Sequence, residues 1–518
     1  MRSVQCVVAA FLLFAAGSRP ASGQGWPGYA RDAQHTSLGV GPSQLPQRIR
    51  WSTPVDQMPQ YTGSDLLIHY GSPLITRVNT VIVPIKTGAT GGFQVSAFRA
   101  TDGSLLWVAT SDYIVPPYHW FPVFGVTLTP KDATLVMPAA GGTLLVRTFP
   151  DSVSGPTTRV AFFGLANYLT NPAAFNSAIQ ICTPISSDRL GNLFFGFVST
   201  GAALPGYPNG IPSGLARVSS QGVGSFVSAA AMSGDSNMVK VIYNDTPAFS
   251  NDGSSLYVAV NNVPVSQVGN FGSGYLCRLN STTLARLSSA FLTDPRSAQA
   301  SPLSALISDD GSGTPTVGPD GDVYFGVLEG NFGSNHARGW LLHYSSDLAT
   351  AKLPSAFGWD DTASIVPASI VASYTGPSTY LLLTKYNNYV EGGGDGVNKA
   401  AVVDPNVSMI DPVTGATVMN TVITVTGPTP DMTVDRNQFP NAVREWCINS
   451  VAIDPVQKCA AVNNEDGHVY RWDFTTNTLT SALNLEPPTA EAYTPTIMGP
   501  DGAVYAVNNA TLFSCVHN

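Results

Sequence analysis

The chain has 518 residues, of which 11% are charged and 44% hydrophobic, with 49 Gly and 39 Pro. Soluble chains carry about 25% charged residues and about 12% Gly plus Pro, so this composition argues against long helices and coiled coils. Disorder needs low hydrophobicity and high net charge, and a net charge of -9 over this length with 25 Lys+Arg against 34 Asp+Glu does not meet that condition. The same balance leaves no basic surface for a phosphate backbone, which excludes nucleic acid as a partner.

Taken in chain order, the first feature is a leader. Arg2 precedes an apolar run from Val7 to Ala16, and Ala21-Ser22-Gly23 supplies the small residues of a cleavage site. The run is too short to span a bilayer and reads as an export signal, which predicts a secreted or periplasmic protein with no transmembrane segment. After it, Arg48-Ile49-Arg50-Trp51-Ser52-Thr53 resembles an outer strand of the repeats that follow, such as Leu105-Leu106-Trp107-Val108-Ala109-Thr110.

Those repeats dominate the rest of the chain. The clearest begins Gly313-Thr314-Pro315-Thr316-Val317-Gly318-Pro319-Asp320-Gly321, continues in a strand from Asp322 to Val327, then Gly339 to Tyr344, then a fourth strand near Ala351 to Ala356. Its Asp-Gly step is a tight hairpin turn, because Gly accepts the positive φ such turns demand. Similar units start at Asp245-Thr246-Pro247 and Tyr493-Thr494-Pro495, with weaker ones at Ser72-Pro73, Phe121-Pro122, Thr183-Pro184, Val366-Pro367 and Asn449-Ser450. Eight starts at this period predict an all-β, eight-bladed β-propeller of four-stranded antiparallel blades. The last unit runs out after its third strand, so the N-terminal strand is expected to complete it and close the ring, with Trp51 between the first and last blades. The expected division is a signal peptide at 1–23, an N-terminal segment at 24–66 with the closing strand at 47–54, and the propeller at 67–518.

Beyond the leader stand Cys182, Cys277, Cys447, Cys459 and Cys515, an odd number. Cys447 and Cys459 are the nearest pair, but a hairpin turn at Asp454 to Gln457 would set Ile453 opposite Lys458 and keep the two thiols from facing each other, leaving both outcomes open. Sequons at Asn244, Asn280, Asn406 and Asn509 are glycan acceptors only in a eukaryotic secretory pathway.

The runs Thr314 to Tyr324, Thr494 to Tyr505 and Gly467 to Asp473, with Trp26-Pro27-Gly28-Tyr29-Ala30-Arg31-Asp32 ahead of the first blade, resemble the pyrroloquinoline-quinone-like repeat family. These are the eight-bladed propellers of the quinoprotein alcohol dehydrogenase type. That resemblance implies either a binding or assembly scaffold or a dehydrogenase using pyrroloquinoline quinone with calcium. In the dehydrogenases a vicinal Cys-Cys disulfide covers the quinone; this sequence has no Cys-Cys pair, and no calcium-ligand set or catalytic aspartate can be matched to it.

In a propeller the loops entering the first strands gather at one mouth, where ligands bind. The candidates are therefore Tyr70 beside His69, the aromatic stretch Tyr118, His119 and Trp120, then Asp245, Asp310 beside Asp309, Glu445 with Trp446, and Tyr493. Aromatic rings beside an imidazole or carboxylate suit a sugar or planar ligand, and Asp245 and Asp310 offer oxygens to a cation. Packing of the aromatics between blades and turn formation by the aspartates are the competing readings. The acidic loop Glu391 to Gly396 lacks the alternating ligands of an EF-hand and reads as a mobile insertion. Zinc-protease, haem-attachment, nucleophile-elbow and phosphate-loop motifs are missing. The function classes left open are a ligand- or protein-binding scaffold, a quinone-dependent dehydrogenase and a carbohydrate-active enzyme.

Overall fold

Short β-branched and aromatic runs punctuated by Gly, Pro and Asp cannot propagate helices, and they pair locally into antiparallel sheets. The computed structural model describes residues 25–63, 65–66, 68, 70–89, 91–116, 124–297, 302–311, 313–485 and 495–518. Eight such sheets form the blades of a propeller. Their innermost strands are, for blades 1 to 8, Leu74–Ile75, Thr127–Leu128, Ser186–Ser187, Ala248–Phe249, Thr316–Val317, Ser364–Pro367, Ala452–Asp454 and Ile497–Met498. Only three short α-helices occur among the described residues, Leu165–Thr170, Pro172–Ala178 and Ala229–Ser233, and no helix there is long and apolar enough to cross a membrane.

The turn chemistry explains the repeat. Gly321 and Gly502, the second residues of two Asp-Gly steps, sit at φ +92° and +82°, a region that costs a residue with a Cβ about 1–2 kcal/mol. At the strand entries a side-chain oxygen replaces a ladder bond: Thr183 Oγ1 accepts from Gly196 N–H at 2.8 Å and Asp361 Oδ2 from Lys385 N–H at 3.0 Å. Blade 6 enters at Asp361-Thr362, ahead of the Val366-Pro367 step that the sequence suggests, because Ser364 already pairs with Leu383. In blade 5 the fourth strand is irregular, reduced to bridges at Leu341/Ser355 and Tyr344/Ala351. Pro354 interrupts it, and the Pro354 carbonyl instead accepts from Met419 N–H of blade 6 at 2.8 Å. The Phe121-Pro122 and Tyr493-Thr494 entries lie outside the described residues.

Arg48–Pro54 pairs antiparallel with Thr511–Val516 and completes blade 8, closing the ring. Trp51 lies between the first and last blades, its ring 6.0 Å from Phe98 and 5.8 Å from Tyr505, with Nε1 donating to the Ala100 carbonyl at 2.7 Å. Gly103 is required at the end of this contact, since a Cβ there would stand 2.7 Å from the Trp51 ring.

The segment before the closing strand threads the ring. Trp26 exchanges two backbone bonds with Ile75, and the carbonyls of Pro27, Ala33, Gln34, Thr36 and Ser37 accept from Leu128, Phe249, Val317, Ile365 and Ile453. Gly39 N–H donates to the Ile453 carbonyl, and Gln44 N–H reaches Gly502 in blade 8. Seven of the eight innermost sheets are thus tied to one strap. It satisfies backbone groups that an inner strand otherwise leaves open along the axis. First strands descend from the mouth, and the strap's bonds fall on their far halves, so the base end of the channel is filled. Tyr29 and His35 are buried there, edge to face at 5.3 Å. The Tyr29 hydroxyl bonds Thr362 Oγ1 at 2.8 Å and donates to Asn449, and His35 Nδ1 lies 2.8 Å from the Pro315 carbonyl.

Three sequence expectations change. The five described cysteines are buried and no disulfide joins Cys447 to Cys459; the hairpin sets Asp454, not Ile453, at its base, opposite Cys459, which leaves a four-residue loop with Lys458 at φ 55°. Asn244 is fully buried, so its sequon is not a folded-state glycan acceptor. The Glu391 to Gly396 loop is tied down: Asn388 Oδ1 accepts from His336 Nδ1–H at 2.7 Å, and Asn388 Nδ2 donates to Asp395 at 2.6 Å.

Trp51→Ala should cost about 3–5 kcal/mol of unfolding free energy, the range for an aromatic removed from a packed site, measured by denaturant titration; a loss below about 1 kcal/mol would contradict the closure. Burial holds His35 down at about 4, against 6.5 unfolded. The unfolded chain therefore binds the extra proton between those values, and this contribution to stability is lost as pH falls from 6.5 to 4. His35→Gln should gain on the natural chain across that window by about 3 kcal/mol, in denaturation curves at the two pH values.

Candidate site at the propeller mouth

Second strands rise toward the mouth, and a strand tip there brings a side chain to the axis beside the loop entering the next first strand. Lys240 and Asn261, paired in register within blade 4, meet Asp309 of the loop entering blade 5. Lys240 Nζ donates to both Asp309 oxygens at 2.9 and 2.7 Å and to Asn261 Oδ1 at 2.9 Å, all buried. Desolvation pulls the Lys240 ammonium down while Asp309 works against it. At the tip of the blade 6 second strand, Lys385 lies 3.7 Å from Asp360. Asp361, fully buried beside it, has its carboxyl raised to about 8 by desolvation, with Asp360 adding to the shift and Lys385 opposing it. Asp361 is therefore largely protonated at neutral pH.

Asp310 differs from these neighbours. It is half-buried, its backbone N–H is held by Ser308 Oγ, and no hydrogen-bond donor reaches its carboxylate among the described residues. Desolvation, with repulsion from Asp309 and Asp360, raises it to about 7. Across the mouth Glu445, Cys447 and Glu465 bring ligand atoms within 4.8 Å of one another. The Cys447 thiol donates to Glu465 at 3.3 Å, and Arg444 spans Asp431 at 3.3 Å and Glu465 at 3.8 Å. A separate rim cavity of about 510 Å³ between blades 2 and 4 is lined by Tyr113, Ile114, Asn176, Gln180 and Tyr243.

The remaining sequence candidates take up different places. Tyr70 is buried and donates to Asp56 at 3.0 Å, and Asp56 in turn holds Lys86 at 2.9 Å. Asp245 is buried, with one carboxylate oxygen accepting from Ala259 N–H across a break in the blade 4 first strand and its proton affinity raised by desolvation. Trp446 is fully buried and edge-on to Tyr470 at 5.8 Å, its backbone clamped by the Asn387 amide at 3.1 and 3.3 Å. Its indole packs in the core, while Glu445 beside it faces the mouth cluster. His69, Tyr118, His119, Trp120 and Tyr493 lie outside the described residues. Sequence reasoning missed Lys240, Lys385 and Trp359; the one legible signal was a lysine ending an apolar strand, as in Leu381-Leu382-Leu383-Thr384-Lys385.

No protein-family model matches the chain, and no curated protein matches it. Among solved structures, a europium-containing methanol dehydrogenase is similar at 9% identity over 94% of this chain and 89% of that one, with a TM-score of 0.55. BamB from Moraxella catarrhalis is similar at 11% identity over 90% and 98% of the two chains, with a TM-score of 0.42. The quinohemoprotein alcohol dehydrogenase from Comamonas testosteroni is similar at 9% identity over 95% and 71%, with a TM-score of 0.41. The likeness to the methanol dehydrogenase is one of fold, the β-propeller.

The sequence resemblance implies pyrroloquinoline quinone, a tricarboxylate, and the described residues of the mouth do not fit it. Lys86, Lys240, Lys385 and Arg444 are all committed to acids, and segments 117–123 and 486–494 contain no Lys or Arg. The axis instead collects Asp309, Asp310, Asp360, Glu445 and Glu465, which outnumber the cations beside them and repel a polyanion.

Lys240→Met should cost about 3–5 kcal/mol, because it leaves Asp309 buried without its counter-charge. Adding Asp309→Asn should recover most of that loss in denaturant titration. Equal stability of the single variant and the natural chain would contradict a buried, committed ion pair.

Proposed function

We propose that the chain is an exported binding propeller that takes its ligand at the mouth. The supporting observation is the strap: residues 25–44 fill the base of the channel through bonds to seven blades, so the axis is approachable only from the face where Lys240, Asp309, Asp310, Asp360 and Lys385 converge. Ion pairs already formed in the free protein hold that face in one arrangement, which lowers the ordering cost of binding. Export follows from the leader alone, and N-terminal sequencing of the chain released by an exporting host should begin at Gln24.

One observation favours an enzymatic second reading. A carboxyl group titrating near 7, as Asp310 does, is matched to proton transfer at neutral pH.

The binding reading is tested by a thermal-shift screen of sugars, amines, amino acids and calcium on the natural chain, repeated on Asp310→Asn, Tyr243→Leu and, at the base, Arg77→Ala. Ligand-induced shifts should vanish in a mouth variant and persist in Arg77→Ala. Shifts lost only in the base variant would contradict the proposal.

A further inference from the structure

Outside the blades, Phe271–Gly272 pairs with Ile307–Ser308, setting Phe271 opposite Ser308. Asp310 follows two residues later, with its carboxylate beside Gly269: a Cβ on Gly269 would stand 3.2 Å from Asp310 Oδ1. Trp359, from the loop entering blade 6, lies over Gly311, where a Cβ would touch the indole at 3.5 Å. The Phe271 and Trp359 rings are 5.8 Å apart and inclined at 46°. Phe271 is 48% exposed. Two packed rings from separate blades thus stand beside a half-buried carboxylate that no donor reaches among the described residues.

We propose that Phe271 and Trp359 wall a binding site for an organic ammonium cation, with the Asp310 carboxylate as its counter-charge. This rests on the reading of the mouth as the ligand face. The charged groups around Asp310 decide the class of ligand. Lys240 is committed to Asp309 and Lys385 to Asp360, while Asp361 is protonated, so no cation of the chain is available to Asp310 among the described residues. The field at its carboxylate is negative, and an incoming ammonium relieves it.

Aromatic faces add to that preference, since a cation over a Trp or Phe ring gains about 0.5–2 kcal/mol, more as water is excluded. A bare divalent cation gains nothing from the rings and needs six or more oxygens. A neutral sugar uses the rings but not the field. An alkylammonium, or a quaternary ammonium whose methyl groups spread the charge over both rings, uses ring and carboxylate together.

Isothermal titration of the exported chain with choline and with butylammonium tests this, using 3,3-dimethylbutan-1-ol as the neutral isostere of choline and glucose and calcium chloride as the competing classes. Cation binding requires the ionised carboxylate, and Asp310 titrates near 7. Affinity should therefore rise about tenfold from pH 6 to pH 8. Asp310→Asn and Trp359→Leu should each weaken binding about tenfold or more, with unchanged far-UV spectra and melting temperatures showing that both variants fold. No binding of either ammonium, equal binding of the neutral isostere, or binding that survives both variants would overturn the site. Calcium or glucose binding in place of the ammonium, abolished by Asp310→Asn, would overturn the ligand class. If the ammonium fails while another ligand's shift is lost in Tyr243→Leu, the mouth reading stands and this site does not.

Discussion

A ring of separate sheets must be held shut, and here the chain's own beginning does it. Each blade is a local antiparallel sheet, so nothing in its hydrogen bonding ties the first blade to the last. Arg48–Pro54 supplies that tie by pairing with Thr511–Val516, and Trp51 packs against both neighbours, on Phe98 and Tyr505. Removing one strand would leave both an unpaired edge and an unfilled interblade space. The geometry of the mouth depends on this closure, because its side chains come from different blades and meet only when the ring is complete.

The strap at residues 25–44 acts on the same ring from inside. Its carbonyls accept from the innermost strands of six blades in ring order and its Gln44 N–H donates to an eighth-blade carbonyl, so one segment records the spacing of seven blades. Filling the base also lowers the polarity around Tyr29 and His35, which is why burial holds His35 neutral at physiological pH. Together, strap and closing strand turn an open tube into a bowl. The lysine on the blade 4 first strand and the one at the blade 6 second-strand tip then become structural. Lys240 and Lys385 sit where water is scarce and acids are many, and each is held by an aspartate. What remains for a ligand is the surplus negative charge, concentrated at Asp310, and the exposed Phe271 and half-buried Trp359 rings beside it.

The sequence made the repeat legible because turn chemistry is local. Asp320-Gly321 and Asp501-Gly502 announce their hairpins wherever the chain goes, and the missing last strand, matched against Arg48 to Thr53, located the closure. The strap was legible only as residues ahead of the first blade, since its bonds are backbone carbonyls that leave no side-chain pattern. The mouth was harder for the same reason that it works: Phe271, Asp310 and Trp359 lie up to 88 positions apart in the numbering and are joined only by the ring. Asp245 and Asp310 look alike in sequence, each in a blade-entry loop, yet one closes a strand break within its blade and the other has no donor to its carboxylate among the described residues. Cys447 and Cys459 are close along the chain but stand on opposite ends of blade 7, one in the mouth loop and the other starting the second strand at the base hairpin, which keeps them from forming a disulfide.

The most direct measurement is a crystal structure of the exported chain soaked with a bromine-labelled benzyltrimethylammonium. The account predicts an anomalous bromine peak at the mouth, with the ammonium against the faces of the Phe271 and Trp359 rings and facing Asp310. A peak confined to the rim cavity beside Tyr113, or to the base along the strap, would contradict it.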